Sequence, residues 1–210
     1  MRAALALLNL IRPLVVKLGS QEQKREFDAE WETHDRGIGE KWRALHTQAL
    51  FSHVGLALSQ WSGMEELLVG ISCLLLRTHE ATKIGIILYS IANHPTWLNI
   101  IGDLFSQEPR YITLKPRWNK LSDRLIKLND TRVRLAHHTI YYEDKSPTLS
   151  GDASLRPSKF DVRPKSQKHR FEPLTSNEIS KFIESVGELQ NYIMELLESM
   201  TEILKHETSQ

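Results

Sequence analysis

The sequence predicts an all-α protein: an antiparallel helical bundle with an irregular, basic, proline-containing loop or short hairpin before the last helix. Three observations carry that reading. Apolar residues recur at helical spacing along six segments of the 210-residue chain. Strand-like alternation is confined to one weak region. Between Tyr142 and Pro173, Pro147, Gly151, Pro157, Pro164 and several serines interrupt any long period.

The segments follow in order. Ala3 to Ile11 is apolar apart from Asn9 and ends at Arg12-Pro13. It is shorter than the roughly 20 apolar residues of a membrane span, and Pro13-Leu14-Val15-Val16-Lys17 is no small-residue cleavage site. Leu7, Leu10, Leu14 and Leu18 share a helical face, so an amphipathic helix kinked near Pro13 is expected, packing on this domain or on a partner. Attachment to a membrane surface is the lesser alternative, because the polar side lacks dense Lys/Arg. Glu22 to Asp35 is a charged helix ended by Gly37-Ile38-Gly39. Residues 40–77 form a helix with a broad apolar face, in which Gly55, Gly63 and Gly70 weaken it or admit a close neighbour. Helices at 81–92 and 95–107 follow, the second opened by Pro95, and a fifth runs from Leu114 to His138.

Ser158–Val162 and Lys168–Phe171 are the candidate hairpin strands, and residues 143–172 are expected to be mobile and outside the core. Thr175-Ser176-Asn177-Glu178 is a capping box that opens a last helix reaching about residue 204. The organisation is thus an N-terminal helical extension (1–39), a helical core (40–142), a basic loop (143–173) and a C-terminal helix (174–205).

Charge narrows the function. Twenty-seven Lys+Arg oppose 26 Asp+Glu, which excludes a globally basic nucleic-acid coat protein and a disordered chain. The balance is local, however. Arg110 to Arg134 holds eight basic residues against Asp123 and Asp130, Arg156 to Arg170 holds six against Asp161, and residues 171–210 hold eight glutamates against Lys181 and Lys205. Two basic runs that converge would suit a phosphate-bearing partner. Lys120, Arg124, Lys127, Arg163, Lys165, Lys168 and Arg170 are the candidate RNA contacts. The single cysteine, Cys73, reads as a buried core thiol in a reduced, cytoplasmic setting. The five tryptophans read as core and interface anchors before base-stacking platforms. No metal-ligand spacing and no phosphate-cradling glycine loop is present, so no metal or cofactor is expected.

The fifth helix carries the chemistry. Trp118, Leu121, Leu125, Leu128, Arg132 and Leu135 follow one another at spacings of three and four, an inward seam broken only by Arg132. A guanidinium there needs a carboxylate partner or a function. Glu65 and Asp130 are the candidate partners. His137 lies five residues on, about 140° around an ideal helix. A histidine titrates near neutral pH, and a guanidinium offers a planar fork to two phosphate oxygens.

Arg132-Val133-Arg134-Leu135-Ala136-His137 resembles the Arg-x4–6-His motif of HEPN domains, small all-helical proteins of prokaryotic defence, toxin–antitoxin systems and RNA processing. Trp61-Ser62-Gly63-Met64-Glu65 is similar to the aromatic-x-x-Leu-Glu segment on an early helix of many such domains. The resemblance covers residues 41–138 and the last helix. It implies a metal-independent endoribonuclease, a defence or toxin effector, in which Arg132 and His137 are catalytic. Glu65, Asp130, Arg134 and His138 would support them, His138 as a six-residue alternative to His137. It further implies a homodimer whose two motifs line one cleft, and an antitoxin or regulatory protein as partner. Val133 replaces the family's usual polar residue and cannot hydrogen-bond the imidazole. A non-catalytic HEPN-like module binding RNA or a partner protein is therefore the alternative function. On the structural alternative, Arg132 is buried in an ion pair with Glu65 and His137 simply complements the helix dipole.

Overall fold

The computed structural model describes residues 21–142, 153–157 and 172–208. The chain divides into two units, Met1–Thr47 with Asp144–Gly151, and Gln48–Glu143 with Asp152–Gln210. Of the first unit, the described part is helical from residue 21 to residue 47. Five α-helices are described: α1 (Gln21–Leu75), α2 (Ala81–Tyr89), α3 (His94–Gln107), α4 (Lys115–His137) and α5 (Ser176–Thr208). A 3-10 turn, Pro109–Leu114, joins α3 to α4. No helix among the described residues is long and apolar enough to cross a membrane.

The expected break at Gly37-Ile38-Gly39 does not occur; α1 is continuous through it. Glycine costs a helix about 1 kcal/mol against alanine but removes no hydrogen bond, and no proline stands nearby to do so. The segment 3–18, including the proposed N-terminal helix, lies outside the described residues.

The second unit is organised by four apolar stripes. Leu50, Ala57, Trp61, Met64, Leu68, Ile71 and Leu75 are buried along α1, and Ile179 to Met200 repeat buried positions along α5 at spacings of three and four. Between them lie Leu98, Ile101 and Phe105 of α3 and Trp118, Leu121, Leu125 and Leu135 of α4. Phe105 stacks on Trp118 with centroids 5.5 Å apart, and Gly102 gives the indole room: a Cβ there would stand 3.2 Å from its Nε1. Gly63 does the same for α5, where Gln190 Nε2 donates to Gln60 O at 2.8 Å.

The helix ends follow their residues. Pro95 stands in the first turn of α3. At α5 the capping box forms reciprocally: Thr175 N–H donates to Glu178 Oε2 (2.8 Å) and Glu178 N–H donates to Thr175 Oγ1 (3.4 Å). Helix α2 stops at Tyr89 rather than residue 92, and leaves Ile86 and Ile87 exposed. Cys73 is half-buried rather than fully inside, against Val69, Leu88 and Trp97.

The segment before α5 departs most from expectation. A two-stranded antiparallel sheet pairs β1 (Thr139–Tyr142) with β2 (Ala153–Arg156), Ile140 opposite Leu155, and Leu174 bridges to Leu155. Thr139-Ile140-Tyr141-Tyr142 is a β-branched and aromatic run, which suits a pleated surface better than a continued helix. Arg156 covers the Tyr141 ring at 4.4 Å. Leu155 is 3% exposed, and Ala153, Leu155 and Leu174 belong to the main core. Residues 143–172 are therefore not wholly outside the core. The strands first expected at 158–162 and 168–171 lie outside the described residues.

Leu155→Ala should lower the unfolding free energy by about 2–4 kcal/mol, the usual cost of emptying a core leucine site. Urea denaturation checks this, and an unchanged midpoint would show β2 to be an ornament on the bundle.

Candidate functional site

Helix α4 places its seam as the spacing requires. Trp118, Leu121, Leu125 and Leu135 are buried, Leu128 packs against the core, and Arg132 is half-buried between them. Arg132 opens onto a cleft of about 430 Å³. Its walls come from four helices and a loop: Asn129 and Val133 of α4, Glu65 of α1, Tyr89 of α2, and Asn93 with His94 at the start of α3.

Glu65 is 7% exposed, and its Oε1 accepts from the Trp61 indole N–H one turn earlier at 2.7 Å. Burial raises its pKa, while the indole hydrogen bond and the charge of Arg132 act in the opposite direction. The expected salt bridge is absent: among the described residues, Arg132 has no carboxylate oxygen within 4.0 Å. The reason is geometric. Glu65 Oε1 is held by the Trp61 indole of its own helix. Asp130, two residues before Arg132, points to another side of α4, where its charge acts on Arg134.

The histidine beside Arg132 is His94, which the sequence did not single out. Its ring lies 5.0 Å from Trp61 and 5.8 Å from Trp97, centroid to centroid. Burial, and then the charge of Arg132, push its pKa down to about 4. Among the described residues neither ring nitrogen has a hydrogen-bond partner, and both are closed off from solvent. Asn93-His94-Pro95 reads in the sequence only as a helix start, so nothing there relates His94 to Arg132.

His137, by contrast, is exposed as the last residue of α4 and does not line the cleft. Arg132 and His137 are thus not brought into one cavity within this chain. His138 is half-buried, and its backbone N–H closes α4 on Arg134 O at 2.9 Å. Arg134 Nη2 donates to Glu172 O at 2.7 Å, tying α4 to the segment that enters α5. Burial lowers its pKa, opposed by Glu178, Glu172 and Asp130. Arg134 is a structural tie and not part of the cleft.

The basic run of α4 meets the acidic last helix. Arg124 pairs with Glu188 at 2.8 Å, and Arg117 donates to Ser199 at 3.0 Å, approaches Glu195 at 3.8 Å and covers Tyr192. These pairs are largely solvated, worth about 0–1 kcal/mol each, but they occupy one of the cations expected to face phosphate, Arg124. Lys120 and Lys127 are exposed. Arg163, Lys165, Lys168 and Arg170 lie outside the described residues.

Tyr89 completes the rim. It is 53% exposed, yet its ring is held edge-to-face against Trp97 at 4.9 Å. Partial burial, together with the charges of Glu65 and Glu66, raises its pKa, so it stays a phenol. No group of three or more His, Cys, Asp or Glu is arranged to hold a metal ion among the described residues. Compared with protein-family models, curated proteins and solved structures, the chain matches none.

The depressed His94 pKa has a sign. Below about pH 6.5 the unfolded histidine takes a proton while the folded one stays neutral down to about 4, so acidification favours unfolding across that window. Glu65, raised by burial, has the opposite slope. His94→Phe should therefore flatten the loss of stability between pH 6.5 and 4.5 by roughly 2 kcal/mol, read from urea midpoints. Parallel profiles for the two proteins would show that His94 is not a buried neutral imidazole.

Proposed function

We propose that the chain is a HEPN-type, metal-independent endoribonuclease that acts as a homodimer. The observation that carries the reading is the guanidinium of Arg132, set on an apolar seam, without a carboxylate partner among the described residues, and open to a cleft. Such a group fits a phosphate as its counter-charge. Arg132 would hold the scissile phosphate as the ribose 2′-hydroxyl attacks phosphorus and the bond to the 5′-oxygen breaks. His137, exposed at the tip of α4, would take the 2′-proton or supply the one the 5′-oxygen needs. Because the two residues point about 140° apart, two α4 ends beside one RNA suit the chemistry better than one. A defence or toxin effector of this kind would be restrained by a regulatory protein in the cytoplasm.

A second reading has its own support. Val133 lines the cleft where the family carries a polar residue, and among the described residues no side chain bonds His137. Both observations favour a module that binds RNA, or a partner protein, without cutting.

Mixed RNAs incubated with the protein in EDTA separate the two. Cleavage should leave 2′,3′-cyclic phosphate and 5′-hydroxyl ends. His137→Ala should cost on the order of 10²–10⁴ in rate. Arg132→Ala should do comparable damage through lost charge stabilisation. His138→Ala should matter little, since that residue closes the helix. RNA that is bound and never cut, even after Val133→Asn, would leave the binding module as the function.

A further inference from the structure

The Arg132 cleft contains more than phosphate chemistry requires. A bound phosphate needs the guanidinium and one or two donors, whereas this cleft measures about 430 Å³, within the roughly 300–1,000 Å³ of sites that enclose small organic ligands. Beside Arg132 it presents an aromatic ring, Tyr89, and two carboxamides, Asn93 and Asn129. We infer that the cleft is a single-nucleotide pocket: the phosphate sits on Arg132, the base stacks on Tyr89, and the base edge is read by Asn93 and Asn129.

Each part has a physical reason. Tyr89 is more than half exposed, so a ring face is available. Its edge-to-face contact with Trp97 fixes the ring beforehand, which lowers the entropy lost when a base stacks. A carboxamide carries both donors and an acceptor, and so matches the mixed edge of a nucleobase as a charged group does not. Asn129 lies one turn before Arg132 and Val133 on α4, so base reader, phosphate holder and apolar wall move as one rigid element. Trp97 and His94 also line the cleft, Trp97 with only 3% of its surface exposed. On this account Val133 is suited to its place, since it packs against a base. The inference rests on the reading of the chain as an RNA-handling protein, and names the part of the RNA that enters the cleft.

The test uses the full chain and four probes: adenosine and guanosine 5′-monophosphate, ribose 5-phosphate and inorganic phosphate, with binding read by calorimetry and by tryptophan fluorescence. The nucleotides should bind about ten- to a hundredfold more tightly than ribose 5-phosphate, the usual gain from one base–aromatic stack. Tyr89→Leu should remove that gain, Tyr89→Trp should keep it, and Asn129→Ala should reduce it. Arg132→Ala should weaken nucleotides and ribose 5-phosphate alike. Circular dichroism of each variant checks that it is folded. Ribose 5-phosphate or phosphate binding as well as the nucleotides, nucleotide binding unchanged in folded Tyr89→Leu, or no nucleotide binding at millimolar concentration would each overturn the pocket. If nucleotides bind with the Tyr89 dependence but RNA is never cut, the pocket stands and cleavage falls. If RNA is cut at the same rate by Tyr89→Leu and no nucleotide binds, cleavage stands and the pocket falls.

Discussion

A guanidinium on an apolar helix seam is the constraint from which the rest of the site follows. Arg132 occupies a position of α4 whose neighbours Leu125, Leu128 and Leu135 face the core. A fully buried charge there would cost several kcal/mol without a partner. The fold meets this by opening a cleft at that point rather than by supplying a carboxylate. Glu65 is near enough for its charge to be felt, but its Oε1 accepts from Trp61 and, among the described residues, neither carboxylate oxygen comes within 4.0 Å of the guanidinium. Burial, and then the charge of Arg132, keep His94 neutral.

Charge elsewhere on α4 is disposed differently. Arg117 and Arg124 reach the glutamates of α5, and Arg134 reaches a backbone carbonyl just before it. Three of the cations of α4 are therefore turned toward the last helix or the segment that enters it. What distinguishes Arg132 from these is orientation: it sits on the inward face, where α5 offers it no acid, and where α2 and the start of α3 stand off to leave space.

The helical frame was legible because its signals are local. The three–four spacing of α4, the capping box at Thr175 and the proline at the start of α3 each act within one or two turns, and each appears where the residues place it. Arg132 was legible for the same reason, as the one polar residue in an apolar series. Three features were not. The continuity of α1 through Gly37 and Gly39 depends on a small propensity cost being outweighed along a long helix. Strand β1 has its partner beyond a long connection, so no tight-turn signal marks the pair. His94 comes beside Arg132 only when α3 packs against α1 and α4, which no spacing in the sequence encodes. The missing Arg132–Glu65 bond belongs with these, because the distance between side chains on two different helices is set by tertiary packing and not by spacing along either one.

The proposed chemistry requires an Arg132 guanidinium that is free to receive phosphate. Side-chain ¹⁵N resonances of the arginines, followed while a short single-stranded RNA is added, test this directly. Arg132 should shift strongly, and Arg134, held on the Glu172 carbonyl, should stay in place. An RNA that shifts other arginines while leaving Arg132 unmoved would contradict the central claim and return the residue to a structural role.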